Sequence, residues 1–110
     1  MRKLTKAVSV AAAVAMTATC FSTTAFADDT FKIGGIGPIT GGAAVYGQAV
    51  MNASQMAADD INAAGGINGY QIEFNFQDDE HDAEKSVNAY NTLKDWGMQM
   101  LLGTVTSTPC

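Results

Sequence analysis

Basic residues are scarce in this sequence: six lysines and arginines stand against eleven aspartates and glutamates. Half of them, Arg2, Lys3 and Lys6, crowd the start, so the chain beyond Ala27 keeps Lys32, Lys85 and Lys94 against all eleven acids, a formal charge of −8. Without a basic face there is nothing to hold a phosphate backbone, which excludes nucleic acid as a partner. Cysteine is equally scarce: Cys20 lies in the opening segment and Cys110 is the last residue, so no disulfide forms within residues 28–110. The single histidine, His81, has no second His or Cys nearby to complete a zinc set. The longest uncharged apolar run, Ala7 to Ala18, is too short for a permanent membrane span. Linkers, low-complexity tracts and internal repeats are missing as well.

The opening segment has three features in the order of an export signal. Arg2, Lys3 and Lys6 precede the apolar run, and Ala25-Phe26-Ala27 supplies a small-x-small cleavage site before Asp28-Asp29. An ordinary buried N-terminal helix would not combine them. Cleavage after Ala27 is favoured over lipid modification of Cys20, because Thr17-Ala18-Thr19 matches poorly the usual Leu-small-small lead. Removing residues 1–27 leaves 83, which is thin for a self-supporting α/β core. The chain also stops at Thr108-Pro109-Cys110, just after an apolar strand, where a covering helix is expected. It therefore reads as the N-terminal piece of a longer protein.

Phe31 to Ile36 reads as a short strand in which Gly34 and Gly35 let neighbouring backbone come close, and Gly37-Pro38 ends it. A loop through Gly42 follows, with Thr40 and Gly41-Gly42 offering bare backbone N–H groups. A helix is expected from Ala44 to Ala64, its apolar face formed by Tyr46, Ala49, Val50, Ala53, Met56, Ala57, Ile61 and Ala64. Asn52, Gln55, Asp59 and Asn62 fall off that stripe, and Gly65-Gly66 stops the helix. After a turn at Ile67-Asn68-Gly69, Tyr70 to Phe76 alternates apolar and polar residues, the pattern of a strand with one greasy face near a sheet edge. Asp82 is placed to cap a second helix lined by Ala83, Val87, Tyr90 and Leu93, with Trp96 near its end and Gly97 as its stop. Met98 to Leu102 reads as a third strand, and Gly103 to Thr108 as a second small-residue loop. The order βαβαβ predicts a parallel α/β sheet with crossover helices. Ligands bind such sheets outside the carboxyl ends of the strands.

The motifs exclude more than they assign. Gly35-Ile36-Gly37 is followed by Pro38 and reaches Thr40 where a dinucleotide loop needs its third glycine, and no Gly-Lys-Ser/Thr follows. What remains is a small-residue loop feeding a helix N-terminus, which is either a tight turn or a seat for an anion such as a carboxylate. Asp78, Glu80 and Asp82 alternate as in a calcium loop, but Ala83 and Ala89 occupy the positions of the required glycine and closing glutamate. A solvated loop with an N-cap is the better reading. Acid pairs at a strand end also serve Mg²⁺-dependent phosphoryl acceptance, a chemistry at odds with export to a compartment without nucleotide. Ser107 lacks the Gly-x-Ser-x-Gly setting of a hydrolase nucleophile. Tyr46, one turn from the glycine loop, reads equally as core or as ligand contact.

With those residues in view, Phe31 to Pro109 resembles the N-terminal part of the periplasmic-type solute-binding proteins of ABC importers, in the branched-chain amino acid (leucine/isoleucine/valine) family. The stretches that carry the resemblance are Ile36 to Gly47, Asp60 to Gly69, Asp78-Asp79 followed by a helix, and Leu102-Gly103 followed by Thr106-Ser107-Thr108. It implies the type I fold of two α/β lobes hinged over a ligand, with residues 28–110 as the first part of lobe 1. It further implies an exported, monomeric, non-catalytic protein without a cofactor, which hands a small amino acid to a membrane permease. By resemblance, Ser107 holds the ligand's α-carboxylate and the Val105 carbonyl accepts from its α-ammonium. Thr106 and Thr108, on either side of Ser107, belong to the same ligand-binding set, and Tyr46 packs along the ligand side chain. A serine at a helix start would add N–H groups and the helix dipole to that carboxylate contact. In familiar members a disulfide joins the loop after the second strand to the serine loop, and the corresponding positions here are His81 and Thr106. Amides, urea and aromatic acids are also ligands in this family, so the branched-chain choice is a default. A secreted sensor or enzyme on the same scaffold is the rival class.

Overall fold

The computed structural model describes residues 30–110. The expected signal segment, its cleavage site and Cys20 lie outside them.

The elements are β1 (Thr30–Gly37), α1 (Ala44–Ala63), β2 (Gln71–Asp78), α2 (Ala83–Trp96) and β3 (Met100–Leu102). All strands are parallel and their order is β2-β1-β3, with β1 in the middle. β2 is the edge strand that its one-sided alternation predicts. The chain moves from β1 to β2 on one side, then crosses back over β1 to β3 on the other. With right-handed crossovers, that reversal puts the two helices on opposite faces of the sheet. The contacts agree: Ile33 of β1 shares an apolar groove with Ala57, Ala58 and Ile61 of α1, whereas Ile36 clusters with Ala89 and Leu93 of α2.

Local chemistry sets the element ends. The Asp82 side chain accepts from the Lys85 N–H at 2.9 Å and caps α2 as expected. At the far end Gly97 takes φ +95°, a left-handed conformation that costs a β-carbon-free residue little. The Met98 N–H then returns to the Leu93 carbonyl at 3.0 Å and the Gly97 N–H to that of Lys94 at 3.0 Å, a Schellman ending. This ending uses Met98, and the Gln99 N–H bonds the Lys32 carbonyl, so β3 begins at Met100 rather than at Met98. The close approach at Gly34 and Gly35 is by side chains, not backbone. Leu93 and Met98 fill the space over Gly34, and the Phe76 ring covers Gly35.

Both expected helix faces are kept only in part. On α1, Gly47 and Ala58 are buried and Val50, Met51, Ser54, Ile61 and Asn62 are half-buried, while Ala49, Ala53, Ala57, Ala64, Tyr46 and Met56 are exposed. The cause is close packing at the first turn: a β-carbon on Gly47 would stand 1.7 Å from the Pro38 carbonyl oxygen. That contact fixes Gly47 against the loop and rotates the bulkier Tyr46 outwards. Asn62 faces inward because its carboxamide pairs with both main-chain groups of Ile72, at 2.7 and 2.8 Å, much as a neighbouring strand would. On α2, Ser86, Ala89 and Leu93 are buried, whereas Ala83, Val87 and Tyr90 are exposed. Small residues let this helix sit close to β1, and Leu93 alone of the expected face points inward.

Candidate functional site

Three loops meet at the carboxyl end of the sheet: residues 38–43 after β1, 79–82 after β2 and 103–108 after β3. Because the chain leaves β1 for one neighbour and reaches the other only by crossing over, the gap between β1 and β3 is a topological switch point. Loops diverge there and leave a crevice.

The first loop is tied down from below. The Asp78 carboxylate, at the end of β2, accepts from the Ile39 N–H at 2.7 Å, the Glu80 N–H at 3.0 Å and the Thr40 N–H and hydroxyl. Partial burial pushes this carboxyl up, but the hydrogen bonds from Thr40, Ile39 and Glu80 together outweigh it, and its pKa lies below the ordinary value. The anion that the loop amides of Ile39 and Thr40 hold is therefore the protein's own Asp78. The α1 terminus above it starts at Ala43 with no side-chain cap.

The second loop is anchored by its acids. Asp79 is fully buried; its N–H donates to the Gly37 carbonyl at 3.1 Å, and its carboxylate accepts from the His81 N–H at 2.9 Å. The second Asp79 oxygen has no partner among the described residues. Asp82 is spent on its cap, and Glu80 pairs with Lys85 across the exposed surface. The alternation of Asp78, Glu80 and Asp82 thus serves three separate tasks.

The third loop carries most of the expected ligand contacts. Val105 is half-buried and lies over Gly37, where a β-carbon would come within 2.5 Å of its Cγ2. Thr106 and Thr108 are joined through one ring: His81 Nδ1 lies 2.8 Å from Thr106 Oγ1, and its Nε2 lies 3.3 Å from Thr108 Oγ1. Ser107, between them, is exposed. It opens a turn in which the Cys110 N–H donates to the Ser107 carbonyl at 3.2 Å. Tyr46, on the first turn of α1, is 64% exposed among the described residues. The structure brings Val105 to Thr108 together on one loop, and Tyr46 stands apart on α1. Asp78 and His81 are the residues whose roles here the motif reading did not assign.

The family model described as periplasmic binding protein matches residues 30–110, and the chain belongs to that family. Among curated proteins it is similar to the leucine-, isoleucine-, valine-, threonine- and alanine-binding protein of Pseudomonas aeruginosa, at 37% identity over 94 residues, covering 86% of this chain and 25% of that protein. Among solved structures it is similar to the branched-chain amino acid transporter substrate-binding protein LivJ of Streptococcus pneumoniae in complex with isoleucine. The TM-score is 0.69 at 34% identity, with 73% of this chain and 23% of that one covered. It is also similar to a fatty acid ABC transporter substrate-binding protein from Thermomonospora curvata, with a TM-score of 0.70, 28% identity and coverage of 74% and 21%. The chain spans about a quarter of the length of the curated relative. The βαβαβ order and parallel sheet expected for this fold class are those observed.

Proposed function

We propose that this chain is the first part of lobe 1 of an exported receptor. That receptor binds a small amino acid, branched-chain by default, and delivers it to the permease of an ABC importer. Residues 1–27 are then a signal cleaved after Ala27, and residues 28–110 begin the binding domain. The protein works as a monomer, without a cofactor and without catalysis. The observation that carries this reading is the exposed Ser107, held on a tied loop at the switch point between β1 and β3. Ser107 is exposed there with a hydroxyl of the kind a carboxylate needs, and Tyr46 offers a second exposed group, an aromatic ring on the first turn of α1. Binding energy shared between two lobes would close them, and the closed form is what a permease distinguishes.

A second reading keeps the fold and changes the solute. The Thermomonospora curvata neighbour, named for fatty acids, matches as well as the isoleucine complex does. Both solutes present a carboxylate, so Ser107 has the same role in either. Calorimetric titration of the full-length, signal-free protein separates them, with leucine, isoleucine, valine, alanine, phenylalanine, urea, short amides and a medium-chain fatty acid as the panel. Saturable heat with an aliphatic amino acid, weakened at least about tenfold by Ser107→Ala as expected for a lost bond to a charged group, is the expected result. Heat with an amide or a fatty acid alone overturns the ligand and keeps the receptor. Turnover of any panel member sinks the non-catalytic reading.

A further inference from the structure

We infer that His81 is the positioning residue of the serine loop, a non-covalent latch that holds residues 106–108 ready for a ligand carboxylate. The proposal rests on the binding role given above to Ser107. Its basis is the geometry of one imidazole that uses both nitrogens on the two residues flanking Ser107, Thr106 at 2.8 Å and Thr108 at 3.3 Å. Threonine hydroxyls donate or accept, so both contacts survive in either neutral tautomer. The main chain that carries the ring is itself held: the backbone N–H of His81 donates to the buried Asp79 carboxylate at 2.9 Å, and the Asp79 backbone N–H donates to the Gly37 carbonyl at the end of the central strand. A chain of hydrogen bonds therefore runs from β1 through Asp79 and His81 to both sides of Ser107. Cys110 has no disulfide partner among the described residues. The benefit of such a latch lies in preorganisation, since a loop already fixed loses less freedom when a solute binds.

Substitution needs care, because His81 sits at φ +61°, a left-handed conformation that histidine, asparagine and glycine accept more readily than alanine does. His81→Gly removes the ring without straining the backbone. His81→Asn keeps the backbone preference and puts an amide atom near the Nδ1 position, within reach of Thr106 alone.

The test uses the full-length, signal-free protein without added solute, and reads amide hydrogen exchange in peptides covering residues 103–110. The expected result is exchange about tenfold faster in His81→Gly, largely restored in His81→Asn, with the peptides of β1 and α2 unchanged. Unchanged exchange in the Gly variant overturns the latch, and so does equal acceleration throughout the domain, which marks a merely structural residue. Failure of Asn to restore protection also overturns it. Isoleucine titrations form the second arm: about tenfold weaker binding in His81→Gly, recovered in His81→Asn, supports positioning of the binding loop. If Ser107→Ala abolishes isoleucine binding while His81→Gly leaves it intact, the latch fails and the site stands. If Ser107→Ala has no effect, the site reading fails and the positioning claim falls with it, whatever the exchange data give for the loop.

Discussion

The carboxyl end of the sheet and the flank of β3 are built on opposite principles. At the carboxyl end the loops are fastened by polar groups: Asp78 gathers the first loop, Asp79 ties the second to Gly37, and His81 bridges to the third. Each tie joins residues within this chain, although one oxygen of the buried Asp79 has no partner among the described residues. Along β3 the situation is reversed. Met100, Leu101 and Leu102 are all exposed, and Val87 and Tyr90 of α2 open onto a groove with Leu101 and Pro109. Apolar surface gathered in this way is characteristic of a face that packs against something else. The proposed binding end is thus fastened mainly by polar ties among the described residues, whereas the third strand presents an apolar face there.

The strongest test of that contrast compares two residues of one helix. Leu93 is fully buried over Gly34 between β1 and α2, so Leu93→Ala should lower unfolding stability of the full-length protein by about 2–5 kcal/mol. Val87 is 60% exposed among the described residues but lines the apolar groove, so Val87→Ala should cost the full-length protein a smaller amount, about 1 kcal/mol. Denaturant midpoints at constant slope measure both. No loss at Val87 would break the comparison and show that the groove stays open to water in the whole protein.

A middle-sized effect is expected at the polar end. Asp78→Asn keeps the shape but removes the charge that organises Ile39, Thr40 and Glu80, at a cost of about 1–3 kcal/mol. Because the folded pKa of Asp78 is depressed, its contribution is fully present above the ordinary carboxylate value of 3.8. It is lost as pH falls through the lower folded value. The wild-type protein should therefore lose stability on acidification over that window more steeply than Asp78→Asn does. Parallel acid limbs for the two proteins would mean that the first loop holds itself without Asp78.

What the sequence disclosed follows the range of the forces involved. Asp82, Gly97 and the Gly65-Gly66 stop act on their own turns, so their residue types alone place the helix ends. The alternation from Ile72 to Phe76 records burial on one face, and so locates the edge strand. The helix faces were less legible. Alanine recurs around α1, at 49, 53, 57, 58 and 63 among others, so periodicity does not fix which side is inward; the contact of Gly47 with Pro38 does. On α2 the buried residues Ser86 and Ala89 are small because the helix lies close, while the bulkier Val87 and Tyr90 face out. Of the candidate site, the small-residue loop could be found by type, as could its exposed serine. The bridge from His81 to Thr106 spans 25 residues and exists only once the second and third loops meet. The similar reach of Asp78 to Ile39 across 39 residues is equally a product of the parallel register.

The smallest effect is expected where the polar end meets water. Lys85 and Glu80 form an ion pair on an exposed surface, with both side chains about half accessible. The hydrogen bond that Lys85 donates to Glu80 raises the Lys85 pKa above its ordinary value of 10.5; desolvation opposes this, and the charges of Glu80, Asp82 and Asp78 add to the rise. For a lysine so raised, any stabilisation is present in full below the unfolded pKa and fades only as pH climbs through the folded one, far above neutrality. Solvent screening and the freedom of two long side chains leave such pairs with little net worth. Lys85→Met should accordingly leave the denaturant midpoint within experimental scatter at 0.15 M salt, with any loss appearing only at low ionic strength. The loop itself does not need the pair, because Asp78 and Asp79 already hold its backbone at Glu80 and His81. A salt-independent drop in stability, accompanied by faster exchange in residues 79–82, would place Lys85 among the ties of the carboxyl end and extend that end further onto the surface of α2.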